Sequence, residues 1–242
     1  MRIPRIYHPE TLSINNTITL TNTASNHLAK VLRLTQAHPL IVFNGDGFDY
    51  HAEIASIGKL VTVNIIQSEK NNVESPIKIH LGQVISRGDK MDFTIQKAVE
   101  LGVTEITPLT SERCNVKLDK SRQDKKIQHW QSIIESACEQ SGRSIVPTCN
   151  EITRLTTWID KVDADVKIIL EPTGAITLNQ LPSQDIKTIA VLIGSEGGFS
   201  ELEIELAIKQ KFHPIVLGQR ILRTETAGLS LLGVLQYLYG DF

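Results

Sequence analysis

Apolar and polar positions follow two different periods along this chain, and the change falls near Pro76. From the N-terminus to about Gln67 they alternate in short segments, RIYH, SINNTITLT, LIVFNGDGFDYHAEIASI and LVTVNII. That two-residue period predicts half-buried strands joined by tight turns. Asn44-Gly45-Asp46-Gly47 is the clearest hairpin signal among them. One helical segment interrupts the strands, from Ser25 to about Leu34. At about 100° per residue it sets Leu28, Val31 and Leu32 on one side and His27, Lys30 and Arg33 on the other. A small β-barrel plugged by this helix fits the pattern. The polar, charged stretch QSEKNNVESP then ends in Pro76 and marks a boundary, giving domains over 1–72 and 73–242.

Beyond the boundary, apolar runs alternate with helical patterns. IKIHLGQVI reads as a strand, and DKMDFTIQKAVELG as a helix that Gly102 can close in a left-handed conformation. ITPLT reads as another strand. A long helix over about Arg122 to Ser141 carries Ile127, Trp130, Ile134 and Ala137 along one stripe. VKIIL, TIAVLIG and PIVLG are three further strands, with a helix from Glu201 to Lys211 between the last two. A final helix runs from about Thr224 to Tyr239, apolar around most of its circumference. The expected fold class is α/β, with a mostly parallel sheet covered on both faces.

The chemistry concentrates where apolar runs give way to loops. Ile193-Gly-Ser-Glu-Gly-Gly-Phe-Ser200 follows one strand and precedes a helix. Ser200 and Glu203 form a capping box, and Glu201, Glu203 and Glu205 make that helix start acidic. A pyrophosphate needs bare main-chain amides at a G-x-G-x-x-G spacing, which Gly194, Gly197 and Gly198 lack. The loop therefore suits a ligand without phosphates, one bearing amine, ribose or adenine donors or a positive charge, such as S-adenosylmethionine. Otherwise its glycines only turn the chain. A second loop, Leu217-Gly-Gln-Arg-Ile-Leu-Arg-Thr-Glu-Thr-Ala227, offers consecutive main-chain groups and the apolar Ile221 and Leu222 to an adenine. Arg223 and Glu225 are either functional groups there or a structural ion pair.

Composition changes this picture little. The chain has 242 residues, 41% of them apolar, enough for a sizeable core. Its 25 Lys and Arg against 27 Asp and Glu leave a net charge of −2, so any nucleic-acid surface is a local patch. Cys114, Cys138 and Cys149 have neither disulfide nor zinc spacing, and no metal is expected. No run approaches the roughly 18 apolar residues of a membrane span. The expectation is a soluble cytoplasmic protein.

Taken together, RIPRIYH, HLAKVLRL, KAVELGV, SERC, EQSGR, IGSEGGFS and LGQRILRTETA resemble, in this order, the bacterial 16S rRNA uridine-N3 methyltransferase family of the SPOUT superfamily. The resemblance spans essentially the whole chain. It departs at Ser195, where the family usually has Pro, so a fixed φ is lost while the main-chain carbonyl remains. The resemblance implies a PUA-like RNA-binding barrel at the N-terminus and a C-terminal SPOUT domain with a deep trefoil knot. It also implies S-adenosylmethionine as cofactor, 16S rRNA of the small ribosomal subunit as partner, and a homodimer packed through the knotted domain. The cofactor pocket would comprise Leu170, Glu171, Ile193, Gly194, Ser195 and Glu196 on one wall. The other wall would be Leu217, Gly218, Ile221, Leu222, Arg223, Thr226 and Ala227.

For RNA, the candidates are Arg2, Arg5, His27, Lys30 and Arg33, together with Arg113 and Arg143. The segment from Arg113 to Lys126 holds six basic residues against two acids; it is either a second patch or the solvated start of a helix. Methylating N3 of uracil requires loss of the N3 proton and stabilisation of the resulting anion. Arg223 is the candidate for stabilising that anion or orienting the cofactor, and Glu225 for the base, with Arg113, Glu139 and Arg143 completing the site. The alternatives are a related enzyme acting on another base or a ribose 2′-hydroxyl, and a noncatalytic RNA-binding assembly factor.

Overall fold

The computed structural model describes residues 3–114, 119–171, 176–181 and 185–242. The chain divides into two units. The first runs to Glu74 and also takes in Glu135–Val146; the second is Ser75–Ile134 with Pro147–Phe242.

In the first unit, strands β1 (Arg5–Tyr7), β2 (Thr17–Thr19), β3 (Pro39–Phe43), β4 (Phe48–Ile57) and β5 (Val61–Lys70) form one sheet. Its order is β1-β3-β4-β5-β2, antiparallel except for the β1–β3 pair. The predicted hairpin joins β3 to β4. The Asn44 side chain accepts from the Asp46 N–H at 3.2 Å, and Asp46 from that of Phe48 at 2.9 Å. Gly45 and Gly47 take φ of +97° and +88°, the left-handed region in which a Cβ is strained. Register shifts interrupt the β4–β5 pairing after His51 and after Ile54, which increases the local twist. Leu40, Val42, Ala52, Ile54, Val63 and Ile65 alternate into the core beneath.

The helix of this unit departs from expectation. It begins as α1 (Asn22–Asn26), capped by the Thr21 hydroxyl, and continues as a π-helix over His27–Val31. Leu32 N–H bonds His27 C=O, and Arg33 turns left-handed at φ +53°. The wider turn breaks the 100° phase, so Leu28 is fully buried while Val31 is 67% and Leu32 40% exposed. Full burial of Leu28 is worth about 1.5–3 kcal/mol, and Val31 forgoes most of its share.

In the second unit, the described residues form seven strands in one parallel layer: β6 (Lys78–Val84), β7 (Glu105–Thr110), β8 (Thr148–Cys149), β9 (Thr153–Arg154), β10 (Val166–Leu170), β11 (Thr188–Ile193) and β12 (Phe212–Ile215). The order is β12-β10-β11-β6-β7-β8, with β9 also on β7, and every pair is parallel. Helices α2 (Lys90–Glu100), α3 (Lys120–Ser141), α4 (Leu155–Lys161), α5 (Glu201–Lys209) and α6 (Thr224–Tyr239) connect and cover them. Gly102 ends α2 at φ +80°; a Cβ there would lie 2.3 Å from the Gln236 amide nitrogen, which donates to Leu101 C=O. The stripe on α3 is as expected, with Trp130, Ile134 and Ala137 buried. Helix α4 was not expected, although Leu155, Trp158 and Ile159 carry its i, i+3, i+4 signature and are all buried. With Val84, Leu109, Ile169, Ala190 and Leu192 they fill one side of the sheet, while α2 packs with α6.

Candidate functional site

In a parallel sheet the strand ends share one edge, and the loops that leave them make the natural crevice. Leu170, Ile193 and Ile215 are the last residues of β10, β11 and β12. All three line a cavity of about 450 Å³, within the roughly 300–1,000 Å³ of small-molecule sites. The loop after β11 forms one wall: Ser195 C=O accepts from Gly198 N–H at 3.0 Å, and Gly198 sits at φ +65°. Gly197 approaches Arg113 closely, for a Cβ there would stand 3.1 Å from the Arg113 carbonyl. Beyond it the capping box is complete. Ser200 Oγ accepts from Glu203 N–H at 3.3 Å, and Glu203 Oε2 from Ser200 N–H at 2.9 Å. The buried Glu203 also accepts from Glu112 N–H, so that helix start is already filled by a carboxylate.

The segment 215–224 forms the other wall. It meets the first where Thr224, opening α6, donates its hydroxyl to Gly194 C=O. Gln83, fully buried near the end of β6, joins both: its Nε2 approaches Val84 O at 3.0 Å, Thr224 Oγ1 at 3.3 Å and Gly194 O at 3.4 Å. This polar group was missed by sequence reasoning, although its position at the strand's carboxyl end was the available signal.

Of the expected cofactor residues, Leu170, Glu171, Ile193, Gly194, Ser195, Glu196, Leu217, Gly218, Ile221, Leu222, Arg223 and Ala227 all line the cavity. Thr226 does not and is exposed; Glu225 also lies outside the lining, half-buried with one carboxylate oxygen enclosed and unpartnered. Helix phase explains both placements. Ala227 lies three residues after Thr224 and four after Arg223 and so returns to their side of the helix, whereas Glu225 and Thr226 lie one and two steps of about 100° beyond Thr224.

Lys90, at the start of α2, is a lining residue with no signal in the sequence. Its Nζ lies 2.9 Å from Glu196 Oε1. Partial desolvation alone would raise the Glu196 carboxyl. The Lys90 hydrogen bond and charge, with the backbone N–H groups of Glu196 and Arg87, outweigh it and hold the group below its usual range. The carboxylate that seemed free for a ligand thus already has a cationic partner.

The RNA candidates separate into two classes. His27, Lys30 and Arg33 are exposed on the first unit, as Arg113 is on the second, where its guanidinium lies 3.4 Å from Gly197 O. The side chains of Arg5 and Arg143 are enclosed, 8% and 5% exposed, and do not form a surface patch. Arg5 forks onto Asp49 at 2.7 and 2.9 Å, reaches Ser144 Oγ at 2.6 Å and stacks over Phe43. Arg143 grips Glu74 at 2.9 and 2.6 Å. Burial would raise the Asp49 carboxyl, but hydrogen bonds from Arg5 and Ser144 outweigh it and hold it low. Glu139 is likewise engaged inside the first unit, accepting from Tyr7 N–H at 2.9 Å, and burial pushes its carboxyl up. Arg2 lies outside the described residues, as does Lys117 of the basic segment.

Comparison with known proteins agrees with this architecture. An RNA methyltransferase domain model matches residues 73–236, and an RNA methyltransferase PUA domain model matches 20–66. A ribosomal RNA small subunit methyltransferase E from Buchnera aphidicola (subsp. Schizaphis graminum) is 43% identical over 99% of this chain and 98% of its own. A methyltransferase from Legionella pneumophila, solved with bound cofactor SAM, superposes with a TM-score of 0.96 at 42% identity over 100% of both chains. The ribosomal RNA small subunit methyltransferase E of Neisseria gonorrhoeae, bound to S-adenosyl methionine, gives 0.92 at 39% identity, again over 100% of both. An RNA methyltransferase domain preceded by a PUA domain, with 43% identity to such an enzyme along almost the whole chain, places this chain in the ribosomal RNA small subunit methyltransferase E family.

Proposed function

We propose that this protein transfers a methyl group from S-adenosylmethionine to N3 of a specific uridine in the 16S rRNA of the small ribosomal subunit. The observation that carries the reading is the cavity between the 193–199 and 215–224 loops, in which apolar side chains and main-chain groups are joined by a few charged side chains, beside a helix start filled by Glu203. Its residues fit the cofactor. Leu170, Ile193, Leu217 and Leu222 offer apolar cover, and the loops offer main-chain donors and acceptors. When bound, the cofactor supplies a methyl carbon activated by a sulfonium.

The chain's own residues must hold that donor and stabilise the uracil anion. Arg223, an exposed cation in the cavity wall, is the group we assign to the negative charge on the pyrimidine oxygens as N3 loses its proton to solvent water. Glu225, turned away from the cavity, receives no proton-transfer role. The RNA approaches through His27, Lys30 and Arg33 on the PUA unit and Arg113 beside the glycine loop.

The reading includes the deep trefoil knot. It is supported by β12 pairing with β10 while α6, next in sequence, packs with α2 and β11. It also includes a cytoplasmic homodimer formed through the second unit, supported by Tyr237 and Leu238, 73% and 42% exposed at the end of α6. The test is tritiated methyl transfer to small subunits from cells lacking the protein, followed by nucleoside analysis. 3-Methyluridine is expected. Label on another base or on a ribose would overturn the assignment.

A further inference from the structure

The Lys90–Glu196 pair raises a question that the adenosine-facing loops leave open: what holds the other end of the methyl donor. S-adenosylmethionine ends in an α-ammonium beside an α-carboxylate, two opposite charges one carbon apart. The cavity wall carries the complementary motif, with Lys90 Nζ and Glu196 Oε1 2.9 Å apart and their side chains 32% and 38% exposed.

We propose that Lys90 and Glu196 together recognise the amino-acid end of the cofactor, Lys90 taking its carboxylate and Glu196 its ammonium. The inference rests on the cofactor reading above and deepens it. A four-charge arrangement of alternating sign leaves no charge unmatched when the cavity fills, which a single cation or anion could not achieve. A partly exposed ion pair is weak, so sharing it with a ligand costs little. The Lys90 hydrogen bond helps to hold the Glu196 carboxyl below its usual range, which keeps it an acceptor for an ammonium. Arg220, Arg223 and Glu171 also line the cavity, but Lys90 and Glu196 are the lining cation and anion that stand together, 2.9 Å apart. A phosphate is disfavoured here, since Glu196 would face it. Lys90 is thus a specificity residue that reaches the site from α2, about a hundred residues before the loop it serves.

Calorimetry with two ligands tests this. S-adenosylhomocysteine carries the amino-acid end, and 5′-methylthioadenosine is the same nucleoside without it. The wild type is expected to prefer the former. Lys90→Met and Glu196→Gln should each weaken S-adenosylhomocysteine by about tenfold, as expected for losing one charged hydrogen bond, while moving 5′-methylthioadenosine by less than about twofold. The double variant should lose less than the product of the singles. A wild-type preference ratio retained in Lys90→Met overturns the proposal, and so does a ratio abolished by Arg223→Met instead. If neither nucleoside binds the wild type, the cofactor reading falls with it; if both bind the wild type equally, only the present inference falls.

Discussion

The Thr224 hydroxyl donates to the carbonyl of Gly194, so the first residue of α6 is tied to the first residue of the glycine loop. Gln83 backs the same carbonyl from β6, with its amide nitrogen 3.4 Å away. Both walls of the cavity are therefore set by one buried junction. Thr224→Val removes the donor and leaves Gly194 O only the longer contact; the loss is about 1–3 kcal/mol, roughly tenfold in cofactor affinity. Thr224→Ser keeps the hydroxyl and should bind nearly as the wild type does. Calorimetry on the two variants checks this, and equal loss in both would remove the junction from the account.

Arg223 is exposed in the cavity wall and is assigned to charge that exists only as the uracil ionises. Arg223→Ala should then lower kcat by about 10²–10³-fold and leave the KM for the methyl donor within about threefold. Single-turnover methylation at saturating RNA and donor measures it. Wild-type turnover would exclude this role.

Lys30 and Arg33 are solvent-facing on the PUA unit. Replacing each by Ala should weaken small-subunit RNA binding and reduce the slope of log affinity against log salt by about one per residue. Donor affinity should not change. Filter binding across a salt series provides the slopes, and an unaltered slope would place the RNA elsewhere.

Arg5 behaves differently because its partner Asp49 is nearly enclosed. Arg5→Met strands a buried carboxylate and should cost about 3–5 kcal/mol of stability. The Asp49 carboxyl titrates lower in the folded chain than in the unfolded one. Its contribution is thus complete above the unfolded value of about 3.9 and fades as pH falls through the folded value. Denaturant melts between pH 7 and pH 3 should show the wild type losing stability toward acid. Arg5→Met should start lower and lose less, and parallel curves would deny Asp49 this part.

Much of this architecture is legible without coordinates, because its signals are local. VKIIL and TIAVLIG read as strands ending in a glycine or acidic loop; Ile193 and Glu196 follow from where the second run stops, while Leu170 is supplied by the family resemblance. Ser200 with Glu203 is a cap at any fold's helix start. What is not legible depends on distance along the chain. Lys90 at a helix start reads as a solvated cation until Glu196 is brought beside it. Arg5 and Arg143 read as donors for phosphate until Asp49 and Glu74 neutralise them. Val31 and Leu32 are misplaced by a purely local event, a π-helical turn that no apolar period announces.

The most direct measurement is a crystal structure with S-adenosylhomocysteine. The account predicts the nucleoside between Gly194 and Leu222, its adenine against the main chain of the later loop and its amino-acid end at Lys90 and Glu196. A cavity left empty at saturating ligand, or a nucleoside bound elsewhere on the chain, would contradict it.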